Sequence, residues 1–205
     1  MIAIETVERP AKFPVVLSID PSIVEMGWAL FDGAQAQDIY DLRAWTYGRI
    51  RPKGNSIQDK WMDAGDKLDQ ATGNLSPEFL VCEWPASFVS LRGVVAYRKG
   101  SNYPMCGLGG YLMGRFGFSS KTVTFYQPAK WKGSVPKSVT TYRFEREFSK
   151  KASPESVRQI ERMCKTLSDH EIDAIMLAVF WLRQRYIPKV KRSRKQIVLP
   201  AKHDT

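Results

Sequence analysis

The sequence predicts a single α/β domain built on a mixed five-stranded sheet with helices on both faces. Three observations predict it. Three β-rich segments punctuated by turn residues follow one another within the first fifty or so positions, a helical pattern separates them from a fourth short strand, and helices dominate the C-terminal third.

The first segment, Val16-Leu17-Ser18-Ile19-Asp20-Pro21-Ser22-Ile23, is apolar and β-branched until Pro21 breaks it, so it reads as a central strand with Asp20 at its exposed end. Gly27-Trp28-Ala29-Leu30-Phe31-Asp32 returns as the second strand of a hairpin. A loosely alternating stretch from Ile39 to Arg51, ending at Pro52, is the third strand, so the first three form an antiparallel meander. Ile57, Trp61, Ala64 and Leu68 then repeat at helical spacing between Ser56 and Gln70, and Gly73-Asn74 closes that helix. Phe79 to Trp84 is a short apolar strand ending in Pro85. Coming after a helix, it fits a parallel crossover beside the first strand, which brings Glu83 next to Asp20.

Between Ser87 and Gly117, glycines alternate with Tyr103, Tyr111, Leu112, Met113 and Phe116, and the second half reads as a helix with small residues at a close contact. Gly107-Leu108-Gly109-Gly110 lacks the Gly-Lys-Ser/Thr ending of a phosphate loop. Val123 to Tyr126 is the fifth strand, stopped by Gln127-Pro128. Helices fill Lys137 to Phe148, with Ser138 as a candidate cap, then Pro154 to Met163, and Ser168 to about Tyr186.

The last helix contains an anomaly. Ser168-Asp169-His170-Glu171 is a capping-box pattern that fixes its start. From Ile172 onward the sequence is apolar nearly all round, as in a helix buried against a sheet. Asp173 sits inside that run. A carboxylate there costs several kcal/mol unless a cation, a metal or strong donors meet it. His170 and Asp169 lie three and four residues earlier, on the same side of the helix. Each has an ordinary alternative: Asp169 as a first-turn acid favoured by the helix dipole, His170 as a capping imidazole. Asp20 has one too, as the initiator of an Asp-Pro turn, against a role as a rigid metal or phosphate ligand.

Composition bounds the function classes. Lys and Arg number 31 against 21 Asp and Glu, giving a formal charge of +10 and a pI near 9.6, which points to a polyanionic partner such as nucleic acid or an anionic membrane surface. A cluster at Lys189, Lys191, Arg192, Arg194 and Lys195 marks a basic tail over residues 188–205, and residues 1–13 form a second tail flanking a 14–187 domain. Three widely spaced cysteines and two histidines make no zinc motif. No apolar run approaches the roughly 18 residues of a membrane span, so the expected setting is soluble, reducing and cytoplasmic.

Strand Asp20, strand Glu83 and the helix His170-Glu171-Ile172-Asp173-Ala174-Ile175-Met176-Leu177-Ala178 together resemble the RuvC-type Holliday junction resolvases of the ribonuclease H superfamily. The first motif is similar to the family's Ile-Asp-Pro-Gly/Ser turn followed by Gly-Tyr/Trp. The last is similar to its Asp/His-x-x-Asp-Ala-Leu/Ile-Ala helix, in which His and Asp both occur at the first position. The resemblance spans about Val15 to Ile187 and implies a ribonuclease H-like fold. It further implies that Asp20, Glu83, His170 and Asp173, with Asp169 as a further candidate, hold two Mg²⁺ or Mn²⁺ ions for phosphodiester hydrolysis. The products would carry 5′-phosphate and 3′-hydroxyl ends. Lys132 and Lys137, and more weakly Lys130, match a segment of functional lysines and would contact DNA phosphates; as ordinary loop residues they would only be solvated. The aromatic wedge that the family places three residues after the strand Glu is here Ala86, leaving Phe88 to stack on opened bases or to pack in the core.

The resemblance implies a crossover junction endodeoxyribonuclease, a homodimer acting on four-way or branched DNA, with a viral or bacteriophage origin (and a host-cell cytoplasmic location) suiting its small size and divergent middle. Three rivals are another ribonuclease H-like nuclease on branched DNA or RNA–DNA hybrids, a noncatalytic junction-binding module, and an actin-like phosphotransferase. The last needs a second phosphate loop that the sequence lacks.

Overall fold

The computed structural model describes residues 13–73, 76–84, 102–133, 136–150 and 152–187. Five strands, β1 (Val15–Asp20), β2 (Met26–Asp32), β3 (Trp45–Ile50), β4 (Phe79–Glu83) and β5 (Val123–Tyr126), form one sheet in the order β3-β2-β1-β4-β5. β1, β2 and β3 are antiparallel neighbours, whereas β4 runs parallel to both β1 and β5. The mixed sheet predicted from the sequence is therefore the observed one.

The third strand starts later than its alternation predicts. Residues 39–44 turn instead, because two aspartates offer the backbone local partners: Asp38 Oδ1 accepts from the Tyr40 N–H at 2.8 Å, and Asp41 caps the 3-10 turn Leu42–Ala44 by accepting from the Arg43 N–H. Ile39 is still buried, and its carbonyl accepts from the Trp45 indole N–H at 3.1 Å.

Strand parity divides the core in two. Leu17 and Ile19 with Leu30, Leu80 and Cys82 face α1 (Ile57–Thr72) and α2 (Asn102–Arg115). α1 is fixed at its start by a capping box between Ser56 and Asp59, and its Trp61 ring lies against Gly107 of α2, where a Cβ would approach the ring to 2.1 Å. That is the small-residue contact expected of the glycine-rich segment. On the opposite face, Val16, Ala29, Phe31 and Val81 pack under α6 (Asp169–Tyr186), with α4 (Lys137–Ser149) and α5 (Pro154–Thr166) outside it. Between β5 and α4 lies the single turn α3 (Pro128–Trp131), opened by Pro128.

α6 is buried almost all round, from Glu171 to Leu182 with Phe180 half-buried, and its capping box is as predicted: Ser168 N–H donates to Glu171 at 2.8 Å. Each fully buried side chain such as Leu177 or Trp181 contributes roughly 1.5–3 kcal/mol of hydrophobic stabilisation, which is what holds this helix on the sheet. The candidate cap Ser138 lies inside α4 instead. Pro136 is the residue before the helix, its fixed φ leading the chain in without a side-chain cap. Among the described residues no helix is long and apolar enough to cross a membrane. Cys82, Cys106 and Cys164 are unpaired as disulfides.

Candidate active site

β1 and β4 pair in register up to Ile19 opposite Cys82, so the next step sets Asp20 beside Glu83 on the face that α6 covers. Both carboxylates are nearly buried, 6% and 7% exposed, at the C-terminal ends of parallel strands, where α/β sheets open towards ligands. α6 reaches them through a bare position on β2. Gly27 is the register partner of Asp20, and a Cβ there would come within 2.0 Å of the His170 carbonyl oxygen. The missing side chain lets the first turn of α6 rest on the strand.

From that turn the imidazole Nδ1 of His170 meets Asp20 Oδ2 at 2.5 Å. Asp173, one turn on and 7% exposed, is met by Lys132, whose Nζ donates to Asp173 Oδ2 at 2.7 Å and lies 3.1 Å from Glu83 Oε2. The anomalous carboxylate in the apolar helix has thus found a cation. Lys132 follows directly on α3, and the preceding residue, Trp131, donates its indole N–H to Glu83 at 2.9 Å. One short turn therefore orients both the carboxylate of β4 and the ammonium that spans β4 and α6.

The electrostatics are under-compensated. Burial and the charge of Asp20 push Glu83 up to about 7, against the pull of Lys132 and Trp131. Burial disfavours the charge on Lys132, but Glu83 and Asp173 outweigh it and hold the ammonium above its ordinary pKa. Three carboxylates and an imidazole form a donor set suited to hard divalent cations. Among the described residues, however, no three acidic, His or Cys side chains converge closely enough to cage an ion as they stand. Lys132 lies between two of them, so the residue types fit a divalent metal while an internal cation joins Glu83 to Asp173.

The remaining predicted residues divide. Asp169 is exposed in the first turn of α6. Lys130 is exposed on α3 with its ammonium 5.4 Å from the Tyr126 ring centre, away from the carboxylates' direct contacts. Lys137 is the first residue of α4. Phe88 lies outside the described residues. Trp131, missed in the sequence, is signalled there only by its place between two lysines after Pro128.

The sequence matches no protein-family model and no curated protein. Its structure does match solved ones. A structure of Thermus thermophilus RuvC in complex with a Holliday junction substrate superposes with a TM-score of 0.54 at 16% identity, covering 84% of this chain and 96% of that one. The chain shares the fold of RuvC. A second T. thermophilus RuvC structure agrees, with a TM-score of 0.51, 16% identity and 84% and 97% coverage. The match spans nearly all of those two RuvC chains. With it, the ribonuclease H-like topology expected from the motifs is the observed one.

Proposed function

We propose that the protein is a divalent-metal-dependent endonuclease that resolves four-way DNA junctions as a homodimer. The observation that carries this reading is a pair of contacts at the open end of a RuvC-like sheet: His170 of α6 on Asp20 of β1, and Lys132 joining Glu83 of β4, the register neighbour of Asp20, to Asp173 of α6. Two bound Mg²⁺ or Mn²⁺ ions would activate water and neutralise charge developing on the phosphate. The chain's own residues supply the rest. His170 holds Asp20 in place, the Trp131 N–H fixes Glu83, and Lys132 brings a positive charge to where a phosphate would lie. Paired cuts on opposing strands call for two sites related by the junction's two-fold symmetry, which a homodimer provides. The formal charge of +10 supports a polyanionic substrate.

The test is cleavage of a synthetic four-way junction in Mg²⁺ and in Mn²⁺, with both cut strands mapped and flap, hybrid and linear duplex DNA alongside. Symmetric paired incisions by the wild type, lost in Asp20→Asn while junction binding persists, are the expected result. Full activity of Asp20→Asn in Mg²⁺ would remove Asp20 from the chemistry, and preferential cutting of hybrids would reassign the substrate.

A further inference from the structure

A cleft of about 740 Å³ runs from the back of Lys132 between α4 and the C-terminal half of α6. Its rim is cationic. Arg143 and Arg146 project from α4 and Arg183 from α6, while Glu147, the one carboxylate of its walls among the described residues, is buried between Arg146 at 2.9 Å, Lys150 at 3.1 Å and Arg183 at 3.5 Å. Glu147 therefore gathers more positive charge than it cancels. Arg143 donates to the Lys132 carbonyl at 2.9 Å, tying the rim to the segment that carries the site lysine.

The floor is apolar: Trp131, Met176, Val179, Phe180 and Ile187 line it. Such a floor distinguishes the cleft from a surface that only tracks a duplex, where phosphates meet cations on shallow, polar ground. Binding of unpaired nucleic acid instead combines cations for the backbone with apolar or aromatic faces for the bases. The volume lies within the range of pockets that enclose small organic groups, and the cationic rim selects an anionic one. Position completes the argument. Trp131 and Lys132 line the cleft and also bond Glu83 and Asp173, so a strand whose phosphate reached the carboxylates would carry a nucleotide a step or two along it to the cleft.

We propose that this cleft docks an unpaired nucleotide of the DNA strand being cut, its base on the apolar floor and its phosphate on the arginine rim. The assignment rests on the endonuclease reading for the identity of the strand, but the cleft's preference for single-stranded DNA is measurable without cleavage.

The experiment uses full-length Asp20→Asn protein with two probes: an oligothymidylate carrying one 5-iodouracil, and a four-way junction carrying 5-iodouracil at successive positions around the exchange point. Photocrosslinks should map to Trp131 or Phe180. Replacing Arg146 and Arg183 by Gln should weaken oligothymidylate binding about tenfold and lower the log–log salt slope by about 0.7, the release expected for one single-strand phosphate contact. Because that double variant leaves Glu147 with fewer partners, Gln184→Glu serves as the second. Gln184 lines the cleft and accepts from the Tyr126 hydroxyl at 3.2 Å through Oε1, a bond that Glu preserves while adding a negative charge. It should weaken crosslinking to the same residues. Crosslinks mapping elsewhere, or binding unchanged in both variants, overturn the proposal. Should the wild type fail to cut junctions while oligothymidylate still crosslinks in the cleft, the endonuclease reading falls and the docking site stands.

Discussion

The imidazole of His170 and the carboxylate of Asp20 meet at 2.5 Å across 150 residues of sequence. Their meeting depends on a third position that has no side chain at all, Gly27, over which the first turn of α6 lies.

Gly27→Ala is therefore expected to damage the site without touching a functional group. Its Cβ would collide with backbone at 2.0 Å, and backbone cannot rotate away as a side chain can. Overpacking of this kind costs roughly 1–3 kcal/mol or more, and the displaced helix turn would carry His170 and Asp173 with it. Denaturant unfolding and junction cleavage measured together check this; a variant with wild-type stability and activity refutes it.

Lys132→Gln separates two roles of the lysine. Without the ammonium, Glu83 and Asp173 lose the cation that joins them, so the metal-free protein should lose roughly 2 kcal/mol, below the 3–5 expected on breaking a fully buried pair because Lys132 is partly exposed. Added Mg²⁺ should restore more stability to this variant than to the wild type, since the internal cation no longer competes. Melting temperatures across a Mg²⁺ titration read this directly. Cleavage should fall in the same variant, because the proposed function also sets Lys132 against the phosphate.

The raised pKa of Glu83 sets the pH dependence of the metal-free protein. A carboxyl near 7 when folded and about 4.5 when unfolded binds its proton more tightly in the folded state. Its contribution is present in full below pH 4.5 and is lost as pH rises to about 7, a span of roughly 3 kcal/mol. Glu83→Gln should flatten that part of the stability profile. In the wild type, Mg²⁺ should oppose the loss above pH 7, because metal binding needs the carboxylate. A profile for Glu83→Gln that parallels the wild type between pH 5 and 8 would contradict this.

Ser18 offers a gain in stability. Its hydroxyl is fully buried two residues before Asp20 on the same sheet face, with no hydrogen-bond partner among the described residues. Ser18→Ala removes an unsatisfied group and should stabilise the protein by about 1 kcal/mol. An unchanged or lowered melting temperature would show that the hydroxyl is satisfied after all.

The pairing of Asp20 with Glu83 was legible because strand parity and a right-handed crossover leave few alternatives once five apolar segments are placed. The burial of Asp173 was legible for the same kind of reason: its neighbours are apolar on every side of the helix. The partner of Asp173 was not. Lys132 reaches it from the end of a short turn whose Trp131 is buried and bonded to Glu83, and nothing local in Gln-Pro-Ala-Lys-Trp-Lys foretells that burial. The turn before β3 was misread because alternation in residues 39–44 looks like a strand until Asp38 and Asp41 are given their backbone partners. The cleft's arginines escaped notice because they come from two helices, and sequence does not give the angle at which one helix faces the other.

α6 carries Asp173 in its second turn and Arg183 near its end. Ten residues at a rise of 1.5 Å set them about 15 Å apart along a straight helix. Since this helix is clamped along its length by core contacts, it acts as a ruler: the spacing between Asp173 and Arg183 is a constant of the fold, not a result of how a substrate bends. DNA would have to fit that gauge, and a strand able to leave its duplex for two or three nucleotides would fit where a stiff, fully paired one does not. Selectivity for distorted DNA would then arise from a fixed length in the protein rather than from reading any base.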